Sequence, residues 1–183
     1  MLVEVMGRDV GWIALETGLA GGAHVVLIPE IPFSIDKVCD FVHRREEQGK
    51  RFTVVVVAEG LKLPPELEEK FAQERRISPR AGSVAGLIAD AIGRCSKRET
   101  RVAVLGHIQR GGSPSPFDRI LSTRFGVAAV DLIAQGGFGK MVCLRGTHIE
   151  AVDIAEAVGA MKRVDPNGEL VRTARAIGMC FGD

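Results

Sequence analysis

Arg51-Phe52-Thr53-Val54-Val55-Val56-Val57-Ala58 is the stretch that decides the fold. Its consecutive valines leave no polar face, so they predict a strand covered on both sides, at the centre of a parallel sheet. The same reading extends outward. His24 to Ile28 (HVVLI), stopped by Pro29, predicts a second strand, and Val3 to Met6, Arg101 to Leu105 and Lys140 to Leu144 predict three more. Helical periodicity fills the gaps. Gly11 to Ala23 carries Ile13, Leu15 and Leu19 and ends at Gly21-Gly22. Ser34 caps a helix to about Glu47, with Asp36 in its first turn and Arg44-Arg45 near its end. Ser83 to Cys95 sets Val84, Leu87, Ile88, Ala91 and Ile92 on one face. Pro116 to Gln135 offers Phe117, Ile120, Leu121, Phe125 and Val130 as core positions, and Asp153 to Met161 and Glu169 to Ile177 complete the set. Residues 60–82, with Pro64-Pro65 and the charged run Glu66 to Arg76, predict a surface excursion with one short helix. Alternating strands and helices define an α/β fold with a parallel sheet.

Composition narrows the function. The chain has 183 residues, 46% apolar, which is enough for a sizeable core and excludes a disordered chain. Its 24 basic and 23 acidic side chains leave a net charge of +1, which speaks against a nucleic-acid-binding module. No apolar stretch approaches the ~20 residues that span a bilayer, and the first residues lack the pattern of a signal peptide. Cys39, Cys95, Cys143 and Cys180 are widely spaced with no CxxC, so structural zinc is not expected, and reduced cysteines in a cytoplasmic protein are. A strand beginning at Val3 predicts a chain cut from something longer.

In parallel sheets, ligands bind at the carboxyl ends of the strands. Those ends carry Gly7-Arg8-Asp9, Glu59-Gly60, and Gly106-His107-Ile108-Gln109-Arg110-Gly111-Gly112-Ser113-Pro114. Guanidinium groups match phosphate oxygens, a carboxylate accepts bonds from sugar hydroxyls, and glycines admit close backbone approach. The set predicts a site for a phosphorylated, hydroxyl-bearing small molecule.

These residues also carry a resemblance. Val3-Glu4-Val5-Met6-Gly7-Arg8 with Gly11-Trp12 resembles the MGR segment of the phosphofructokinase family. Leu105 to Pro114, followed by Asp118-Arg119, resembles that family's LGHxQRGGxP…DR segment, with Gly21-Gly22, Ile28-Pro29-Glu30 and Glu59 falling in order between them. The resemblance implies a Rossmann-like three-layer sandwich, of which this chain would be the sugar-phosphate half. Residues 1–108 would form the sugar-phosphate domain, 109–159 would belong to the nucleotide-side domain, and 160–183 would return. It further implies a glycolytic transferase, a kinase acting on fructose 6-phosphate. Met6 and Gly7 would contact the sugar, and Arg8 would be catalytic, stabilising the phosphoryl group in transit. Glu59 would bind sugar hydroxyls, His107 and Arg110 would grip the 6-phosphate, and Arg101 would reach that phosphate from a neighbouring subunit.

The family's donor-phosphate GGD or GDD segment and its TIDND-like segment do not occur here. The resemblance therefore puts the magnesium ligands, the catalytic base and the site for ATP or pyrophosphate outside this chain, and implies that the isolated chain is inactive. A homo-oligomer, dimeric or tetrameric, is expected. His24 stands where allosteric bacterial members carry a glutamate, although Lys50-Arg51 keeps their basic character. The ending Ala174 to Asp183 resembles the pyrophosphate-using or mixed branch. The alternative reading is a non-catalytic module that binds sugar phosphate or assembles with another subunit.

Overall fold

The computed structural model describes residues 1–77 and 82–183. The elements in chain order are β1 (Leu2–Val5), α1 (Trp12–Gly21), β2 (Val25–Leu27), α2 (Ile35–Glu47), β3 (Val55–Ala58), α3 (Pro65–Ile77), α4 (Val84–Ser96), β4 (Val102–Val104), a 3-10 turn (Gly106–Arg110), α5 (Pro116–Ala134), β5 (Lys140–Arg145), β6 (His148–Asp153), α6 (Ile154–Gly159) and α7 (Glu169–Ala176). They form two compact units, one of residues 1–110 and 163–183, the other of residues 111–162.

The first unit is built on a four-stranded parallel sheet in the order β2-β3-β1-β4. The valine run forms an interior strand, as its composition requires. Alternation splits it between two cores, because successive side chains point to opposite faces. Val56 and Ala58 join Val26, Ile28, Leu15, Val171 and Phe181 on the face covered by α1 and α7. Val55 and Val57 join Val25, Leu27, Val38, Leu61 and Ile88 on the face covered by α2 and α4. Two helical layers around one sheet give the three-layer α/β architecture.

The helix boundaries follow local chemistry. Gly22 ends α1 in the left-handed region (φ 67°), where a glycine carries no Cβ penalty. The Ser83 side chain accepts the Gly86 N–H and so caps α4. In the second unit, Ser115 and Asp118 close a capping box over the first turn of α5. The Arg124 guanidinium donates to the Thr147 carbonyl (2.7 Å), joining α5 to the turn between β5 and β6.

Four expectations are corrected. The excursion over 60–82 contains a 13-residue helix, α3, with Leu67 buried, rather than a short one; the part over 78–81 lies outside the described residues. The strand from Arg51 begins only at Val55, because Arg51 and Phe52 stand in solvent. β5 turns back antiparallel onto β6 through Gly146 (φ 58°), a hairpin the sequence reading missed. The candidate core of α5 is not a core: no α5 side chain is buried, and Phe117 and Val130 are 64% and 65% exposed.

The reading of four separate thiols also fails for two of them. Cys39 on α2 and Cys95 on α4 are joined in a disulfide across neighbouring helices, with Cα atoms 6.2 Å apart, while Cys143 and Cys180 are free. Sequence spacing gave no hint, because 56 residues separate a pair that only helix packing brings together.

Candidate functional site

The carboxyl ends of β3, β1 and β4 lie side by side, because β1 pairs with both its neighbours in parallel register. The residues that follow these strands therefore converge. After β1 the chain passes through Met6 and Gly7 to Arg8, whose φ of 52° is uncommon for a residue with a side chain. Glu59, directly after β3, supports that conformation: its Oε1 accepts the Arg8 N–H (2.9 Å) and the Gly7 N–H (3.2 Å). One carboxylate oxygen thus orders two successive amides of the loop, as charge-assisted bonds do well.

Gly60 lets the two loops approach this closely. A Cβ at that position would overlap the Arg8 carbonyl oxygen. The requirement is for space, since Gly60 is not among the residues of positive φ.

From β4, the 3-10 turn carries His107 and Arg110, both exposed. Gln109 ties this turn to the β1 loop, its Oε1 accepting the Met6 N–H at 2.7 Å. Of the sequence-predicted residues, the structure thus links Met6, Gly7, Arg8 and Glu59 directly, and joins the turn bearing His107 and Arg110 to the same loop. Arg101 is set apart. It precedes β4 at the amino end of the sheet, where its carbonyl accepts the Leu2 N–H (2.7 Å) and its guanidinium meets Glu99 (2.9 Å).

Two carboxylates of the frame stand in the quoted motifs with no role assigned to them. Glu4, 8% exposed on an interior strand, accepts the Ala85 N–H at 2.8 Å. Burial pushes its carboxyl above the usual range, and the charge of Glu59 adds to that, while bonds from Ala85, Ser83 and Val84 oppose it. Glu30 accepts the Gly11 and Val164 N–H groups, both at 3.0 Å, on Oε1; its buried Oε2 has no protein partner. Alternation hides Glu4, since a single acidic residue in a strand normally reads as an outward-facing one.

A recess of about 330 Å³ opens at this end of the sheet, lined by Arg8, Glu59, Glu4, Gly60 and Ser83 among others. A cation and a carboxylate thus share one concave wall, which suits a ligand with both anionic and hydroxyl groups. A separate recess, also about 330 Å³, lies at the opposite end of the sheet beside Lys50, Arg51, Phe52 and Arg98. His24 meets Phe52 edge-on there, with ring centroids 5.7 Å apart. Among the described residues, no three or more His, Cys, Asp or Glu side chains group as a metal site, and no helix is long and apolar enough to cross a membrane.

Comparison with known proteins agrees with this fold. Residues 1–133 match the phosphofructokinase family. The chain is 51% identical over its whole length to an ATP-dependent 6-phosphofructokinase of Chloroflexus aggregans, covering 50% of that protein. It is 50% identical to ATP-dependent 6-phosphofructokinase 2 of Clostridium perfringens, covering 51% of it. The chain therefore spans about half the length of the curated relatives it matches. Among solved structures, a pyrophosphate-dependent phosphofructokinase from Marinobacter aquaeolei superposes with a TM-score of 0.73 at 26% identity, over 98% of this chain and 44% of that one. The Pichia pastoris phosphofructokinase in the T-state gives 0.67 at 33% identity, over 96% of this chain and 18% of that one.

Proposed function

The chain belongs to the phosphofructokinase family, and on that premise we propose that its first unit carries the fructose 6-phosphate half of a glycolytic 6-phosphofructokinase site. The observation behind this is the convergence on one loop: Glu59 holds Gly7 and Arg8, and Gln109 holds Met6. His107 and Arg110 bind the 6-phosphate, supplying cationic donors to a dianion. Met6 and Gly7 flank the sugar. Glu59 spends Oε1 on the loop and turns Oε2 to sugar hydroxyls.

Anchoring the phosphate and the ring orients the 1-hydroxyl for transfer. Arg8 meets the phosphoryl group as it moves, where a preorganised guanidinium offsets developing charge. Arg101, at the far end of the sheet, serves the phosphate of a neighbouring subunit in a homo-oligomer. The donor is ATP or pyrophosphate. Magnesium would accompany that donor and offset the charge of its phosphates.

Fructose 6-phosphate titrated calorimetrically into the chain, with glucose as control, tests the reading. Saturable binding of the phosphosugar alone is expected, weakened about tenfold or more by His107→Ala or Arg110→Ala. Equal binding of glucose, or binding indifferent to both substitutions, refutes the phosphate assignment.

A second reading, a sugar-phosphate-binding or assembly module without turnover, draws support from α5, whose Phe117, Ile120 and Val130 stand exposed. The parent reading frame separates the two: a GGD or GDD and a TIDND-like segment encoded upstream would support the enzyme, and their absence there the module.

A further inference from the structure

The disulfide between α2 and α4 lies outside the machinery described above and bears on a different property. We infer that Cys39 and Cys95 form a reversible thiol–disulfide site, closed and opened by exchange with small disulfides and thiols. The bond joins the two helices that cover one face of the parallel sheet. Cys39 is 4% exposed and packed in the core, whereas Cys95 is partly exposed near the end of α4. A recess of about 390 Å³ opens over the pair, with Asp36, Ala91 and Arg94 in its wall. Solvent and a small thiol can therefore approach the bond from the recess, and Cys95 is the more exposed residue of the two.

The backbone is placed for the bond. The Cα separation of 6.2 Å lies within the range a disulfide spans. The Cys95 Sγ is also 3.2 Å from the Ile92 carbonyl, and His43 Nε2 lies 3.1 Å from the Cys95 carbonyl. Asp36 and Arg94, of opposite charge, both line the recess. Accessible disulfides of this kind are the exchangeable ones, whereas bonds sealed in a core resist reduction.

The step balances as ordinary exchange. The Cys95 thiolate attacks one sulfur of a small disulfide such as oxidised glutathione, forming a mixed disulfide and expelling one glutathione thiolate. Cys39 loses its proton and attacks the Cys95 sulfur, and the second glutathione thiolate leaves. The protein pair is oxidised by two electrons, and one oxidised glutathione becomes two reduced ones.

The test equilibrates the full chain in glutathione buffers from fully reduced to fully oxidised, traps thiols with a maleimide, and maps each cysteine by tryptic peptide. Peptide 38–44 joined to peptide 95–97 is expected to appear and disappear with a midpoint inside the glutathione range. The oxidised chain should melt roughly 5–15 °C above the reduced one. Cys39→Ser should trap a glutathione adduct on Cys95, and Cys95→Ser should give none on Cys39. Free thiols at 39 and 95 at every buffer ratio in a folded chain would overturn the inference. So would a bond that opens only in denaturant, or an adduct on Cys39. The result does not depend on whether the sugar site is correctly assigned.

Discussion

Removing the Glu59 carboxylate should cost stability before any ligand is present, because its first task is to hold a loop. Oε1 accepts two amides, that of Gly7 at a partly buried contact and that of Arg8 at an exposed one. A bond to a charged acceptor contributes about 1.5–3 kcal/mol where water is excluded, and much less where water can replace it. Taking about 1.5–2 kcal/mol for Gly7 and about 0.5 for Arg8, Glu59→Ala should destabilise the first unit by about 2–2.5 kcal/mol. Glu59→Gln keeps an acceptor and loses only the charge, so it should cost about 1 kcal/mol. Urea denaturation followed by Trp12 fluorescence measures this directly, since Trp12 is the single tryptophan and packs against the first unit's core. Equal losses for the two variants would refute the charge argument, and losses under about 0.5 kcal/mol for both would refute the tether itself.

Other expectations follow from named contacts. Gly60→Ala forces a Cβ into the Arg8 carbonyl oxygen, so a loss of about 1–3 kcal/mol should appear in the same urea assay. His24 is held below its ordinary value, first by burial and then by the charge of Arg45. The unfolded chain thus binds its proton first, and stability present above about pH 6.5 should be lost as pH falls through the folded pKa, a slope that His24→Gln should flatten in thermal melts. Glu4 has the opposite sign: burial raises its carboxyl, so its contribution is greatest below its unfolded pKa and is lost as pH rises through the folded one, which Glu4→Gln should abolish. In the second unit, Ser115→Ala removes the acceptor for the Asp118 N–H, and amide exchange should quicken in the first turn of α5 while the first unit is unchanged.

What the sequence disclosed was what repeats along the chain. The valine run announced an interior strand because no other arrangement buries both its faces, and the strand ends then located Arg8, Glu59, His107 and Arg110. Gln109 and Glu30 lie in the quoted motifs, but their contacts could not be read there. Each acts through one oxygen on the backbone of a distant segment, 103 residues away for Gln109 and Met6, and nothing local encodes that contact. Glu4 interrupts an apolar strand, which reads as a surface position until α4 is seen to begin above it. The β5–β6 hairpin was missed because His148-Ile149-Glu150-Ala151-Val152-Asp153 has too few apolar residues to stand out. Apolar spacing in α5 names candidate core positions, yet none of its side chains is buried, because periodicity cannot say what covers a helix.

The fit between Gly60 and Arg8 also bears on descent. Any lineage that drifts from this chain is free to trade away its arginines and histidine once the ligand ceases to matter. It is not equally free at position 60, where a side chain of any kind evicts the neighbouring backbone. A glycine directly after the acidic residue that closes a valine strand would therefore outlast the chemistry around it. In remote or degenerate sequences that pair would be a fossil of where the two loops once crossed.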